Sequence, residues 1–444
     1  MSNGIEKRSL CSTFVEKLKN TLGYFGDNST LHGVRYVLSL SYIPFHKRVF
    51  WLLILLVSVG CAGHVMRQVL QLYSGGSVSY LIETDYLEFD TPFPAVTICE
   101  QVNAERVNTY IKQHKLPPTL NMFLKDVVYY NAKVCKICAS CKPNQTCIED
   151  FYGIVKAVRS SCSELLTDCW WDDKPFKCCD RFLPIETEYG VCFVFNSRLT
   201  GNETAHSVNR KIGLPNLVFS AIQEVGIRVH SPDDMVSVGM ENSLGRPVIL
   251  PLITDFEVIL KAEVTLSDKS VNAMPPRVRG CLFKDERPPF AREWPFKRYS
   301  YSTCMLYCRA VVQADLCNCT HHLMPKIGDV PLCNIQGLVC LSKSKESLGA
   351  ISCNCPMSCD EVTYKPVHMF TYRHTGNVPM ALTARGTRGL VRLAQLPASR
   401  VRRAAIRHTL GLVVDIGGVG GVFFGASLLN VIEIIYLLCI RRKK

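Results

Sequence analysis

Across its 444 residues the chain has no G-x-S-x-G elbow, no H-E-x-x-H pair and no Walker A loop. Those absences remove the signatures of the α/β-hydrolases, the H-E-x-x-H zinc proteases and the P-loop nucleotidases. No other catalytic constellation is visible, so the chain reads as not an enzyme, and no cofactor is expected. It has no internal repeat, which excludes a solenoid. The net charge is +13, yet no basic face is interleaved with aromatics, so nucleic acid is not expected as a partner. Acidic residues are missing altogether from Gly376 to Thr409, which carries Arg385, Arg388, Arg392, Arg400, Arg402, Arg403 and Arg407. Beyond the last apolar run stands only Arg441-Arg442-Lys443-Lys444, so tail-based regulation is not expected.

Long apolar runs, by contrast, are present. Leu410 to Ile440 spans 31 residues, whereas about 20 helical residues cross a bilayer core. The segment must therefore be tilted or broken. Six of its residues are glycine, and Gly417, Gly421 and Gly425 fall at i, i+4 and i+8. That places them in one small-residue stripe of the kind that lets membrane helices approach closely. Asp415 and Glu433 lie inside the run, where carboxylates are costly and face a bundle interior or a water path. Close helix packing is the bland reading of Gly425-Ala426-Ser427; the acids and the surplus length favour a pore.

A second run, Val49 to Met66, is bounded by His46-Lys47-Arg48 and Arg67. The long stretch before it argues against a cleaved signal peptide. Basic residues dominate both ends of the chain, so both termini are expected in the cytoplasm and the middle outside. The domains expected are a cytoplasmic tail over 1–48, a first transmembrane helix over 49–72, an extracellular block over 73–409, a second helix over 410–440 and a short tail over 441–444. The chain is thus expected to be a plasma-membrane protein with two spans, in contact with lipid.

Cysteine usage agrees. Of 23 cysteines only Cys11, Cys61 and Cys439 lie outside the middle block. The 20 from Cys99 to Cys359 read as a disulfide framework in an oxidising compartment. Sequons at Asn144, Asn202 and Asn318 suit glycosylation of an exported domain, while that at Asn28 falls on the inner side. Cys135-x2-Cys138-x2-Cys141 has metal-ligand spacing, but outside the cell disulfides are favoured and no metal is expected. Cys317-Asn318-Cys319 and Cys353-Asn354-Cys355 are too close to bond internally, so each cysteine bonds elsewhere, in a ladder.

The middle block reads as a mixed α+β domain. Val78 to Asn103, Val191 to Phe195, Val225 to His230, Val258 to Leu266 and Val362 to Tyr364 have strand character. Asn108 to Asn131 is helical with a break at Pro117-Pro118. Tyr299 to Ala314 is helical, with Cys304 and Cys308 on one face. Cys135 to Cys179 reads as irregular. His321-His322 reads as a solvated loop pair, and Asp233-Asp234 and Asp285-Glu286 as surface turns.

Several separated strings then point the same way. In order they are His32-Gly33, Phe93-Pro94-Ala95-Val96-Thr97-Ile98-Cys99, Tyr189-Gly190-Val191-Cys192-Phe193-Val194-Phe195-Asn196, the ten-cysteine block Cys281–Cys359, Asp415-Ile416-Gly417-Gly418 and Gly425-Ala426-Ser427. Their order and spacing resemble the degenerin/epithelial sodium channel family, which includes the acid-sensing and pickpocket channels. Arg279-Gly280-Cys281-Leu282-Phe283, Gly337-Leu338-Val339-Cys340-Leu341 and the extra cysteines from Cys135 to Cys147 look most like the arthropod pickpocket branch. The resemblance runs from about residue 12 to 375 and again over 410–440.

The resemblance implies a trimer, homomeric or heteromeric, with a hand-shaped ectodomain. It implies a palm sheet, a finger over about 104–180 and a thumb over about 281–359. It implies a sodium-preferring pore blocked by amiloride-type compounds. Gly425, Ala426 and Ser427 match the selectivity filter, and His32-Gly33 the cytoplasmic gating motif. Val414, Asp415, Gly417, Gly421 and Glu433 fall in the pore or gate. It also implies the bridges Cys99–Cys192, Cys281–Cys359, Cys304–Cys355, Cys308–Cys353, Cys317–Cys340 and Cys319–Cys333, with Cys169 joined to Cys178 or Cys179.

Two departures stand out. The family position before Asp415 is small, whereas here it is Val414, which implies a high resting open probability. The family has a strand and an acidic wrist linker where this chain has the arginine-rich Gly376–Thr409, which puts the returning strand and its coupling to the pore in question. Two other functional classes were weighed: a non-conducting partner subunit or receptor, and an ATP-gated channel, against which the Gly-Ala-Ser string and the cysteine count argue. The stimulus is not named by the sequence.

Overall fold

The structure is a computed structural model and describes residues 22–39, 42–74, 78–84, 89–129, 150–201, 205–238, 248–344, 353–375, 386–406 and 409–436. Two units emerge, one formed by Met1–Ser79 with Ala405–Lys444 and the other by Tyr80–Ala404.

In the first unit Phe45–Ser74 is one helix of 30 residues, about 45 Å long at 1.5 Å per residue. It begins before the expected 49 because the Pro44 carbonyl accepts from the amides of Lys47 and Arg48, and proline is at home at a helix start. Phe50, Leu53, Leu56, Val57 and Val59 are all exposed. Apolar side chains pointing in several directions are the pattern of a helix meant for lipid. The second apolar run forms two helices, Thr409–Phe424 and Leu428–Ile435, bent by 71° at the break between them. The upper of the two packs against Phe45–Ser74.

The second unit is built on two sheets. One runs in the order Val78–Glu83, Arg400–Ala405, Thr254–Ser267, Thr387–Leu393, Asn216–Ala221, Leu166–Trp171 and Lys174–Phe176, with Glu361–Arg373 also paired to Thr254–Ser267. Along most of Thr254–Ser267 burial alternates residue by residue, the period of a strand packed on one face. The other sheet runs Val248–Leu250, Val225–His230, Ala95–Glu100, Gly190–Phe195 and Phe182–Thr187. Its Ala95–Glu100 and Val225–His230 strands are buried throughout. Phe93, Phe182, Phe195, Phe219, Ile98 and Ile227 fill the core between the sheets.

The arginine-rich stretch is where the structure adds most. Residues 386–406 supply two sheet strands that the sequence left unassigned. Thr387–Leu393 lies parallel to Thr254–Ser267 and antiparallel to Asn216–Ala221, and Arg400–Ala405 also lies parallel to Thr254–Ser267. Thr387, Gly389, Val391 and Leu393 face inward while Arg388 and Arg392 face solvent, so the arginines occupy the outer positions of a strand of period two. Their counter-charges come from distant segments. Arg392 pairs with Glu257 at 3.1 Å, Arg400 and Arg402 each with Glu83 at 2.6 Å, and Arg402 also approaches Asp268 at 3.9 Å. The hydrogen bond from Arg400, joined by the charge of Arg402, holds the Glu83 carboxyl below its ordinary range. Glu83→Gln is expected to cost about 1 kcal/mol, as for a partly exposed charged pair. The fall in Tm of the full chain, larger at low than at high salt, is the measurement.

Cys135 to Cys179, expected to be irregular, is ordered over its described part. Asp150 caps the helix Phe151–Val158 by accepting from the Gly153 amide, and Phe151, Ile154, Val155 and Val158 are buried at helical spacing. Leu166–Trp171 and Lys174–Phe176 form a hairpin across Asp172-Asp173, both with positive φ, a turn that matches strand twist. Cys135, Cys138, Cys141 and Cys147 lie outside the described residues. The helices Ala104–Gln113 and Asn121–Val128 stand on either side of Pro117-Pro118.

Eight disulfides join described cysteines. Six are Cys99–Cys192, Cys281–Cys359, Cys304–Cys355, Cys308–Cys353, Cys317–Cys340 and Cys319–Cys333. Cys169 pairs with Cys178, and Cys162 with Cys179, the latter a bridge the sequence reading did not name. Tyr301–Cys317 and Ile335–Lys343 are the helices that carry much of this ladder.

Candidate functional site

The site of interest is the break in the second apolar run. Gly425 has φ of +63°, the left-handed region that glycine enters without penalty. The turn it makes ends the upper helix and points the chain into Ala426 and Ser427. Below, Ser427 starts the lower helix as its N-cap and exchanges hydrogen bonds with Asn430, the reciprocal arrangement of a capping box. The amide and hydroxyl of Ser427 both donate to Asn430 Oδ1, at 2.6 and 2.7 Å.

A helix end leaves carbonyls without intrahelical partners, and in lipid such groups must be satisfied by protein or water. One of them is met by the amino-terminal segment. The His32 amide donates to the Phe424 carbonyl at 3.1 Å, and His32 Nδ1 lies 3.3 Å from the same oxygen. Thr30 Oγ1 donates to Glu433 Oε2 at 2.5 Å. Gly33 has φ of +79° and begins the short helix Val34–Leu38; a side chain there would press on Leu55 and Trp51 of the first long helix. Tyr36 stacks on Trp51 at 4.7 Å between centroids. The His32-Gly33 loop is thus seated between the first helix and the broken second one.

The structure brings together His32, Gly33, Gly425, Ala426, Ser427 and Glu433. Val414, Asp415, Gly417 and Gly421 lie higher on the Thr409–Phe424 helix, away from that cluster. The Val414 side chain is exposed. A methyl added at Gly417 meets nothing within 4 Å, and one at Gly421 only the Ala426 carbonyl, at 3.8 Å. Among the described residues Gly417 and Gly421 therefore meet no other helix, whereas Gly425 faces His32. Asn430 and Thr30 went unnoticed in the sequence, although Ser427-x-x-Asn430 has the spacing of a helix start.

In the extracellular-type unit the reading of His321-His322 is corrected, and that of Asp233-Asp234 in part. His321 and His322 are buried and stacked at 4.1 Å, not solvated. His322 Nε2 donates to the Val127 carbonyl at 3.0 Å, and burial lowers its pKa to about 4. They are inside because the Cys319–Cys333 bridge folds their loop onto the helices of residues 104–158. Asp233 is enclosed by Arg198 at 2.6 Å and by Lys284 and Arg298 at 3.4 Å. Asp234 beside it accepts from Ser302 Oγ at 2.8 Å, and burial raises its pKa to about 6. Asp285 is an exposed turn residue, as expected, and the partly exposed Glu286 beside it is tied to Arg279 and accepts from the Phe283 amide at 2.8 Å. Asn318 is exposed, with φ of +55°, at the end of the Tyr301–Cys317 helix; Asn144 and Asn202 lie outside the described residues. No group of three or more His, Cys, Asp or Glu placed to hold a metal ion occurs among the described residues.

Comparison with known proteins bears on the whole chain. The sequence profile described as "Amiloride-sensitive sodium channel" matches residues 25–437. Pickpocket protein 19 of Drosophila melanogaster is 23% identical over 96% of this chain and 91% of its own. Sodium channel protein Nach of Drosophila ananassae is 24% identical over 98% of this chain and 89% of its own. The human bile acid-sensitive ion channel is 25% identical over 93% and 85%. With the profile covering almost all of it, and with pickpocket and Nach proteins among its relatives, the chain belongs to the amiloride-sensitive sodium channel family, whose members are plasma-membrane ion channel subunits and not enzymes.

Proposed function

We propose that this chain is a pore-forming subunit of a sodium-selective, amiloride-blocked channel that carries sodium down its gradient across the plasma membrane. The observation that carries the reading is the helix break at Gly425-Ala426-Ser427, met from below by the His32-Gly33 loop. A broken helix in a membrane frees backbone carbonyls, and rings of such oxygens replace the hydration shell of a passing ion. A single chain supplies one set of these groups, so the reading requires a trimer, homomeric or with family partners, around a common axis. Gly417 and Gly421, which meet no other helix among the described residues, fit the close approach of copies there. Both termini are cytoplasmic in this reading, and residues 104–180 and 281–359 are the finger and thumb of a hand-shaped ectodomain.

The test is whole-cell current from the chain expressed alone, in sodium and then potassium, with and without amiloride. An amiloride-blocked current that prefers sodium supports the reading. Glycosylated protein at the surface without current overturns it in favour of a subunit that needs partners. The main observation behind that alternative, an anomalous arginine-rich segment, carries less weight now that residues 386–406 lie in the sheet with Glu83, Glu257 and Asp268 as partners.

Val414 is expected to hold the gate partly open, because it places a branched side chain where the family has a small one. Val414→Ala should lower the amiloride-sensitive resting current by about 3-fold or more, roughly 0.7 kcal/mol in the open–closed balance. An unchanged resting current would sink that role.

A further inference from the structure

We infer that Asn430 is a positioning residue that latches the amino-terminal loop to the lower half of the broken helix, so that the loop and the Gly425–Ser427 break move as one body. The inference rests on the channel reading above and assigns a role to Asn430 and Thr30 within it.

Both ends of the Asn430 amide are in use. Its Oδ1 accepts from the amide and hydroxyl of Ser427, and its Nδ2 donates to Thr30 Oγ1 at 2.5 Å. Because the Ser427 N–H can only donate, the atom facing it must be the amide oxygen, which turns the NH2 toward Thr30. The Thr30 hydroxyl is fixed in the same way: Glu433 Oε2 accepts its proton, leaving its lone pairs for Asn430. The chain of donors therefore runs one way, from Ser427 and Asn430 through Thr30 to Glu433. Asn430 is buried, at 7% exposure, although most side chains of Leu428–Ile435 are not.

The same loop grips the other side of the break through the His32 amide on the Phe424 carbonyl. Residues 30–32 thus touch the last residue of the upper helix and the first turn of the lower one. The chain bends by 71° between the two helices, and Gly425 and Ala426 carry no side chain that reaches across the bend. The clamp across it supplies what the hinge itself lacks. A loop bound to both arms of a hinge sets its angle, and shifting the loop shifts the carbonyls between the arms. An aspartate at 430 keeps the acceptor for Ser427 but replaces the donor with a charge facing Glu433, so it tests the latch while sparing the helix cap.

The experiment uses the full chain. Asn430→Asp and Thr30→Val are each expected to reduce amiloride-sensitive current about 10-fold at equal surface expression and to shift the sodium-to-potassium reversal potential. The double variant should be no worse than the stronger single one, since both cut one link. A purely structural role would change expression and leave the reversal potential alone. In parallel, Thr30→Cys with Asn430→Cys, in a background with Cys11, Cys61 and Cys439 changed to serine, should form an intrachain disulfide under mild oxidation, read by mass spectrometry. Wild-type current and reversal potential in both single variants, multiplicative losses in the double one, or absence of the cross-link overturns the latch. If the wild type itself carries no current, the channel reading fails, and the cross-link alone still decides the latch.

Discussion

Replacing Gly425 by valine is expected to remove amiloride-sensitive current by about 100-fold or more, with the chain still glycosylated and folded outside the membrane. Two costs add. The left-handed backbone at Gly425, φ +63°, costs a residue with a Cβ about 1–2 kcal/mol, and a β-branched one more. The Cβ would also collide with Nδ1 and Cε1 of His32, so the ring that faces the Phe424 carbonyl must leave. Neither cost touches the second unit, which has its own core and bridges. Gly425→Ala should show a smaller loss, and His32→Ala added to it should recover part of the current, because the clash then disappears while the backbone cost stays. Gly417→Ala is the control. A methyl there meets nothing within 4 Å among the described residues, so a loss there points to contact between copies. Full current in Gly425→Val would show that the break does not govern conduction.

Acid is expected to act on the extracellular-type unit in two opposing directions. Burial leaves His230 and His322 with pKa values of about 4. His230 is held neutral between Thr97 Oγ1 at 2.7 Å and the Ser231 carbonyl at 2.8 Å. In the unfolded chain each titrates near 6.5. Their folded-state pKa values are depressed, so the unfolded chain binds more protons below 6.5, and stability is lost as pH falls from about 6.5 toward 4. The gap is worth roughly 3 kcal/mol per histidine. Asp234 has the opposite sign. Burial raises it from 3.8 to about 6, so the neutral form is favoured in the folded state; its stability is present below 3.8 and lost as pH rises through 6. Thermal unfolding of the full chain should therefore show Tm falling between about pH 7 and about pH 4.5, with a shallower fall in His322→Gln. Asp234→Asn should raise Tm at neutral pH by an amount worth up to about 3 kcal/mol, and the gain should vanish near pH 4. An Asp234→Asn chain less stable than wild type at neutral pH, or a slope unchanged in His322→Gln, would contradict this account.

Glu83 is unsuited to mild-acid sensing. Such a sensor needs a carboxylate whose pKa is driven up, most simply by a second carboxylate. Glu83 instead has Arg400 and Arg402 beside it and titrates below its ordinary range. Asp234, by contrast, is displaced toward neutral pH by its burial.

The two apolar runs were legible as long apolar helices, because apolarity summed over about 20 residues is a property of composition alone. Strands Ala95–Glu100 and Val225–His230, the helix after Ser300 and the break at Pro117-Pro118 were legible because each rests on neighbours in sequence. So was the surplus length of the second run, which has to bend. The C-x-C pairs by themselves ruled out bonding within the pair.

What needed the fold is everything set by distant partners. The arginine stretch looked anomalous because its acids, Glu83, Glu257 and Asp268, arrive from other strands. His321 and His322 looked solvated because their burial depends on the Cys319–Cys333 bridge and on Val127, far away in the chain. Cys162 found Cys179 only once the Leu166–Trp171 hairpin had formed between them. Thr30 and Asn430 stand 400 residues apart, and no periodicity links them. Helix, strand and span are thus written in residues close enough to interact before folding. Counter-charges, bridges and the clamp on the broken helix are decided only when the tertiary structure brings separate segments within hydrogen-bonding distance.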